Sequence, residues 1–431
     1  MSTKARGIGI ILLCVLVLGV FQYNHHMKHQ MVEISLGIYS RNKWKIPHLD
    51  SYRVYDEVIR DFEAKNPNVR VTYRSGTLMD DYSEWLAKTI MYGEEPDVFI
   101  ILDEDFNTYA SIGLFQDLTK YIEKDKSFDL NHFYKKALDN GRYGTKQYGI
   151  PFGIAPTFMI VNTTLLDKEG ITLDKDHWTW DDFYNICKKV TKDTNKNGQI
   201  DQFGVFGYEW EHAFYTNDKA LFTDDGLNIA FEDEKLYETI NFMKKMHQLN
   251  KTSTPRDQDF DKGQVAFKMF SLPEYRGYTS SPYQYLKYTD FEWESIPLPS
   301  GPSGKSVSKL DTIQLGMSSR SKNKKKAWEF IKFLTYDHES QQSVWDNTYI
   351  LPSNRKMVEE IYETSTQDEE KNILEPYFLN RIIESGYIDP RFKKYSDFKE
   401  ILDKNIFLMI SRDENINQGI AKIKKDIKKQ R

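Results

Sequence analysis

The amino-acid sequence predicts an α/β fold built as two lobes, and three observations carry that expectation. At 431 residues the chain is longer than one hydrophobic core usually serves. Between residues 32 and 102, apolar strand-like runs alternate with amphipathic helix-like runs. A Pro/Gly/Ser-rich connector, PLPSGPSGKS at 297–306, marks a boundary deep in the chain.

Taken in order, VEISLGIYS at 32–40 alternates Val32, Ile34, Leu36 and Ile38 with other residues, then breaks into Arg41 and Asn42, a strand feeding a polar loop. Val54, Val58 and Phe62, flanked by Tyr55 and Ile59, recur at helical spacing until Asn66-Pro67 stops them. VRVTY at 69–73 is a second strand, a helix runs through Trp85 to Tyr92, and DVFIIL at 97–102 is a third strand. Strand, helix, strand, helix, strand argues for a mostly parallel sheet covered on both faces. Ligands of such sheets bind beyond the carboxyl ends of the strands. YGIPF at 148–152 and FMIVN at 158–162 read as two further strands, with a crossing between lobes near them. Thr179 and Asp182 in TWDDF form a capping-box pattern that opens a helix. A helix from Glu234 to Leu249, a strand QVAFKM at 264–269, and helices from Lys325 onward complete the chain, including an amphipathic tail from Ser396 to Lys428.

Composition narrows the function. Hydrophobic residues make up 39% and charged residues 29%, a globular rather than a disordered profile. The net charge of −5 comes from 59 basic and 64 acidic residues, too balanced to attract a polyanion, so nucleic acid is not an expected partner. The run Lys322 to Lys326 opens a helical pattern and reads as a solvated face. Of the two cysteines, Cys14 lies in the apolar leader and Cys187 on an apolar helical face, so neither a disulfide nor a thiol nucleophile is expected. No serine-nucleophile elbow, zinc signature, phosphate loop or dinucleotide fingerprint occurs.

The leader sets the compartment. Lys4 and Arg6 precede GIGIILLCVLVLGVF at 7–21, and polar residues resume at Gln22, the pattern of an export signal. The run is shorter than the roughly 20 residues a membrane span usually needs, yet no small-x-small cleavage site follows it. The expectation is an uncleaved N-terminal signal anchor that holds the body on the extracytoplasmic face of the cell membrane. Cys14, between Leu13 and Val15, lacks the small neighbours of a lipoprotein signal.

Several strings then match, in order, the family 1 extracellular solute-binding proteins of bacterial ABC importers, of the maltose- and multiple-sugar-binding type. They are FEAKNPNVRVTY at 62–73, YGEEPDVFII at 92–101, GLFQDLTKYI at 113–122 and YGIPFGIAPTFMIVNTTLL at 148–166. WTWDDF at 178–183, FDKGQVAFKM at 260–269, WESIPLPSGPSGKS at 293–306 and KKAWEFIKFL at 325–334 follow. The chain resembles that family from about residue 32 to residue 358. The resemblance implies a two-lobed α/β fold of the periplasmic-binding-protein class II type, with a ligand cleft between lobes joined by a multi-crossing hinge. Crossings are implied near Pro151–Gly153, Pro297–Pro299 and Leu351–Ser353. Residues 1–30 would be the signal or anchor, 31–151 with 299–350 the first lobe, and 152–298 with 352–431 the second. The implied function is capture of a carbohydrate by hinge closure and delivery to ABC permease subunits, with no cofactor required. A ligand-sensing co-receptor for a membrane signalling protein and a carbohydrate-active enzyme are the alternatives.

A sugar site needs aromatic platforms with carboxylates, amides and arginine around them. Strand ends and loops supply Tyr39 and Arg41 after the first strand, and Asp103 and Glu104 after the third. For Asp103 and Glu104 helix capping is an equal alternative. GYEWEHAFY at 207–215 supplies Trp210, Glu211 and Tyr215 in a loop, and LPEYRGY at 272–278 supplies Tyr275, with Glu274 and Arg276 beside it, where the family carries a stacking aromatic. Asp311 and Tyr349 complete the set, with turn formation and hinge packing as their alternative roles.

DTNKNGQIDQFG at 193–204 carries the first half of a calcium loop: Asp193, Asn195, Asn197, the Gln199 carbonyl and Asp201, with Gly198 at the sharp turn. Its twelfth position is Gly204 rather than glutamate, so a structural Ca2+ there would need a carboxylate from elsewhere.

Overall fold

In the computed structural model, which describes residues 31–40, 52–217, 221–223, 229–231, 234–250, 253–280, 291–364 and 374–430, the apolar alternation at the start of the body becomes β1 (Val32–Gly37). It pairs in parallel with β2 (Val69–Tyr73) on one side and β3 (Val98–Ile101) on the other. The intervening helix Arg53–Lys65 forms because Val54, Tyr55, Val58 and Phe62 fall on one buried stripe. Helix Met79–Tyr92 ends on Gly93, whose φ of 73° is the left-handed C-cap that glycine adopts without strain.

A short hairpin of β4 (Arg142–Tyr143) and β5 (Lys146–Gln147) leads into β6 (Gly149–Asn162), one continuous strand of 14 residues where the sequence suggested two. The stretch between the two expected strands stays extended because other strands cover it. Gly153 is part of the reason, since a Cβ there would lie 2.3 Å from the Ile350 side chain. The far half of β6 pairs antiparallel with β8 (Val265–Ser271) and β9 (Trp293–Ile296), and β8 pairs in parallel with β7 (Phe203–Phe206). The near half pairs antiparallel with β10 (Leu310–Met317), which also lies antiparallel to β3, and with β11 (Leu351–Pro352). The sheet is therefore mixed rather than mostly parallel. Its parallel character is confined to β2-β1-β3 and to β7-β8, and the strands returning from the second half of the chain run against them.

Strand β6 thus runs through both parts of the molecule. One apolar core holds side chains from 34–152 and 315–350, including Ile34, Phe62, Phe99, Phe152 and Phe330. A second, around Met159, Trp178, Phe183 and Phe267, draws only on 159–298 for its buried members. A third packs Phe214 and Ile240 against Phe398, Ile406 and Ile423. The fourth, with Ile154, Phe158, Tyr275, Leu351 and Ile383, lies along β6 and joins the halves.

The β6–β10 register shifts between Ile313 and Gln314, where Phe152 is bypassed. The Phe152 carbonyl accepts instead from the Ser353 backbone N–H (3.4 Å) and from Gln341 Nε2 (3.2 Å), and the Ser353 hydroxyl donates to the Pro151 carbonyl. Two of the expected crossings are therefore hydrogen-bonded to each other. At the connector, Pro297 and Ser300 remain tied to Trp178, through Trp178 Nε1 to the Pro297 carbonyl (3.0 Å) and Ser300 N–H to the Trp178 carbonyl (3.1 Å). The chain reaches β6 again at Lys309, whose carbonyl accepts from the Thr157 N–H (2.8 Å).

Cys187 is fully buried on helix Trp180–Val190, and the Thr179–Asp182 capping box that opens this helix is formed. Among the described residues no helix is long and apolar enough to cross a membrane. The apolar run at 7–21, its Cys14 and the candidate Arg41 lie outside the described residues.

Candidate functional site

Helix Asp103–Ser111 starts directly after β3, with Leu102 at the N-cap and Asp103, Glu104 and Asp105 in the first turn. Neither Asp103 nor Glu104 caps it. Their negative charges sit favourably at the positive end of the helix dipole, and their side chains are left for other partners. Asp103 Oδ1 takes a 3.0 Å ion pair from Arg391 Nη2. The Arg391 guanidinium also donates from Nε to the Asn140 carbonyl (3.0 Å), contacts the Asn140 side chain, and lies 4.5 Å over the Phe106 ring. Ser396 Oγ donates to the Glu104 carbonyl (3.0 Å), and Asn107 Nδ2 to the Pro390 carbonyl (3.2 Å), so the segment 390–396 is fastened to the first turns of the helix that follows β3. Tyr39 enters the same region: burial, then the charges of Asp103 and Glu104, raise its hydroxyl pKa.

The other wall is helix Trp210–Thr216, where the sequence suggested a loop. It forms because Trp210 and Phe214, one turn apart, pack into one apolar core and because the N–H of the N-cap residue Glu209 donates to His212 Nδ1 at 3.0 Å. The helix presents Glu211, His212 and Tyr215 together. Glu211 pairs with Lys399 (3.1 Å), and the Tyr215 ring stacks on Tyr387 with centroids 3.5 Å apart. Trp210 points elsewhere, its Nε1 donating to Asp403 Oδ1 (3.0 Å).

Between the walls stands Lys309. Its ammonium lies 4.0 Å from Asp311. Burial works against its charge, but Asp311, Asp389, Glu211 and Asp103 outweigh burial and raise its pKa above the ordinary lysine value. The neighbouring His212 is pushed down to about 4 by burial and by Lys309, so it is neutral at physiological pH. Burial raises the Glu211 carboxyl, with Lys399 and Lys309 opposing. Stacked aromatic rings, carboxylates, a lysine and an arginine thus converge from four stretches of chain. The arrangement offers ring faces and directional donors and acceptors.

Of the sequence candidates, Tyr39, Asp103, Glu211, Tyr215 and Asp311 come together here, with the Glu104 backbone alongside. Tyr275, Arg276 and Tyr349 do not join them. LPEYRGY is a helix, Leu272–Thr279, with a capping box of Ser271 and Glu274. Tyr275 packs edge-on against Phe158 and Trp293. Arg276 spends its guanidinium on the carbonyls of Trp345, Thr348 and Ile350, 5.9 Å from the Tyr349 ring. Lys309, Tyr387, Asp389 and Arg391 were not anticipated. The string YIDPRF at 387–392, in which a proline interrupts an aromatic, acid and cation cluster, was the signal available.

Asp105 is separate from the group around Lys309. Its Oδ1 accepts from Ser83 Oγ (2.9 Å), its Oδ2 is buried with no hydrogen-bond partner among the described residues, and burial raises its pKa to about 6. An acid whose folded pKa exceeds its unfolded value loses stability as pH rises between the two, here from about 3.8 to about 6. Asp105→Asn is therefore expected to raise stability at neutral pH by about 1 kcal/mol, the relief being partly offset by an amide donor without a partner. Below about pH 4, where the acid is already neutral, the gain disappears. Melting temperatures of both proteins across that range check it, and a gain that persists in acid would contradict it.

The 193–204 loop is held by its own bonds. Asp193 accepts from the N–H groups of Asn197 (3.2 Å) and Gly198 (2.7 Å), Asn197 Oδ1 from the Gln199 N–H (2.8 Å), and Asp201 from Thr194 and from Asn195 Nδ2. Gly204 is fixed by packing, since a Cβ there would lie 2.5 Å from that of Cys187, which leaves no room for a twelfth-position acid. Among the described residues no third acid, histidine or cysteine joins Asp193 and Asp201.

A family model described as bacterial extracellular solute-binding protein matches residues 47–337. A Brucella abortus (strain 2308) protein named as a binding protein is 24% identical over 329 residues, 73% of this chain and 76% of its own. The erythritol/L-threitol-binding protein of Mycolicibacterium smegmatis is 21% identical over 287 residues, 61% of this chain and 59% of its own. Among solved structures, a Listeria monocytogenes ABC substrate-binding protein in complex with cycloalternan matches with a TM-score of 0.72 at 22% identity, covering 93% of this chain and 99% of its own. The sugar-binding protein MalE of Xanthomonas citri matches with a TM-score of 0.73 at 16% identity, covering 92% and 96%. At these identities the structural likeness speaks for a shared fold.

Proposed function

Because the chain belongs to the bacterial extracellular solute-binding protein family, we propose that it captures a neutral carbohydrate, an oligosaccharide in particular, and delivers it to the permease subunits of an ABC importer. The observation that carries this reading is the convergence on Lys309 of Asp103, Glu211, Asp311 and Asp389, beside the stacked Tyr215 and Tyr387 rings. Lys309, Arg391 and Lys399 lie against acids of the site, so carboxylates and cations partner one another and offer hydrogen bonds to hydroxyl groups. Related proteins are named for binding erythritol or L-threitol, or are described as sugar-binding, which agrees with a polyhydroxylated ligand.

In this reading β6 and β11 around Phe152 and Ser353, with the 302–309 connector, form the hinge. Residues 31–151 with β10 and the helices that follow it move against the remainder. Arg391 bridges the two parts by reaching Asp103 and Asn140. Ligand contact from both sides then favours the closed form over the open one. The body is held at the extracytoplasmic face by the N-terminal apolar segment, and binding rather than bond cleavage is the activity.

The test is a titration of the full-length protein with linear and cyclic glucans and with polyols, followed by tryptophan fluorescence and small-angle X-ray scattering. The expected result is saturable quenching or enhancement together with a smaller radius of gyration. Release of new reducing ends, or no response from any saccharide, would overturn the reading.

A further inference from the structure

We propose that the second half of the chain carries a second saccharide-binding pocket, on the opposite face of its sheet from the Lys309 site and independent of hinge closure. The strand alternation of β6 separates the two faces. Met159 and Val161 point into the core of Trp178, Phe183 and Tyr208, on the side of the helix that carries Glu211. Phe158 and Ile160 point the other way, toward Tyr275 and Phe378. A cavity of about 360 Å³ opens on that second side, within the size range of small-ligand pockets.

Its chemistry matches a sugar ring rather than an ion or a lipid. Tyr275 and Phe378 give it an aromatic floor, and the Tyr275 hydroxyl is hydrogen-bonded to Ser295, so the floor carries hydroxyl groups beside a ring. At the rim, Tyr377 holds a large aromatic side chain 74% exposed in the first turn of helix Pro376–Glu384, where the helix backbone fixes its position. Exposed aromatic rings of this kind lose solvent-facing apolar area when a pyranose face stacks on them. Two ion pairs flank the opening, Lys175 with Glu294 at 2.9 Å and Arg381 with Asp176 at 3.3 Å. Exposed pairs of this type contribute little by themselves, so their donors and acceptors are exchangeable for hydroxyl groups. With Glu375 as a fifth charge, the opening has nearly balanced signs, which selects a neutral polar ligand.

The lining residues fall at 175–176, 275, 294–297 and 374–381, all on one side of the expected hinge, so occupancy requires no closure. The pocket stands whether or not the Lys309 site binds sugar.

Isothermal titration of the full-length protein with maltotriose, carried into the millimolar range, tests it. A second, weak event is expected that produces no compaction in scattering. The double variant Tyr377→Ala with Arg381→Ala weakens that event about tenfold or more and leaves any tight event unchanged, whereas Tyr377→Phe retains it. Lys309→Met alters the tight event alone. Absence of a weak event in the wild type, its survival in the Tyr377/Arg381 variant, or its loss in Tyr377→Phe overturns the pocket. A weak event without a tight one would count against the Lys309 site for this sugar and for the pocket.

Discussion

Replacing Lys309 with methionine is expected to lower saccharide affinity about 30-fold at neutral pH, with a parallel fall in melting temperature. Asp311, Asp389, Glu211 and Asp103 all direct charge toward this lysine. Breaking a fully buried pair costs about 3–5 kcal/mol, and breaking an exposed one less than about 1 kcal/mol. The Lys309 side chain is 30% exposed, so a value near 2 kcal/mol lies between those limits. That is the stability cost; the affinity cost is the charged hydrogen bond that Lys309 offers a sugar hydroxyl, about 2 kcal/mol, which at about 1.4 kcal/mol per tenfold is about 30-fold. Methionine keeps most of the length and apolar stem, so the effect reports charge rather than a cavity.

The pH dependence carries its own sign. Glu211 has a folded pKa raised by burial, so its ionisation already costs stability as pH rises from the unfolded carboxylate value through the folded one. Without Lys309 that folded value rises further and the cost grows at neutral pH. His212, held down by burial and then by Lys309, is released to protonate more readily. Both changes narrow the gap between variant and wild type as the solution is made acid. Melting temperatures of both proteins at neutral and mildly acid pH read this directly. Unchanged affinity at neutral pH, or a gap that widens in acid, would show that Lys309 is not the centre of the site.

How far the sequence could reach depended on how local each signal was. The 3.6-residue stripe of Val54, Val58 and Phe62 and the period-2 alternation at 32–38 are local, and both gave the right element. The Thr179 capping box needs only three residues of spacing and was equally legible. The continuity of β6 was not, because Gly153 and the extended stretch after it are held by β10 and β11, which arrive 150 or more residues later in the sequence. The mixed direction of the sheet has the same cause.

The candidate site divided along a similar line. Tyr39 follows the alternating run at 32–38 and Asp103 the apolar run at 97–102, so both were legible as strand-end positions. Glu211 was named for the wrong local structure and still arrived at the site, since one helical turn places Glu211, His212 and Tyr215 on a shared side as well as a loop would. Tyr275 and Arg276 are adjacent in sequence to a strand end, but the Ser271–Glu274 capping box winds them into a helix, which turns one toward Phe158 and the other toward Trp345. Asp389 and Arg391 lie 286 and 288 positions beyond Asp103 in the numbering, and nothing within a short window ties them to it.

Arg276→Ala is expected to lower the stability of the protein by about 3 kcal/mol, a fall in melting temperature of about 5 °C. Helix His338–Asn347 has no basic residue in its last turn, and its final carbonyls lack intrahelical donors. Arg276 supplies them from another element: Nη2 donates to the Trp345 carbonyl at 3.3 Å, and Nη1 to those of Thr348 (3.2 Å) and Ile350 (3.3 Å). Its guanidinium also lies 3.4 Å over the Trp345 ring and places positive charge at the negative end of that helix. Burial lowers its pKa to about 9, which still leaves it protonated at neutral pH, so all these contacts form with the charged group. Alanine removes the donors and leaves three carbonyls to compete for whatever water enters the cavity, where an unmade hydrogen bond costs more than a made one contributes. Arg276→Lys separates the causes, because it keeps the charge and loses the fork and the flat stacking surface. An intermediate loss for lysine is expected from equilibrium denaturation. Equal melting temperatures for wild type and alanine would mean that the segment from Trp345 to Ile350, which leads directly into β11, is held in place by its apolar packing alone.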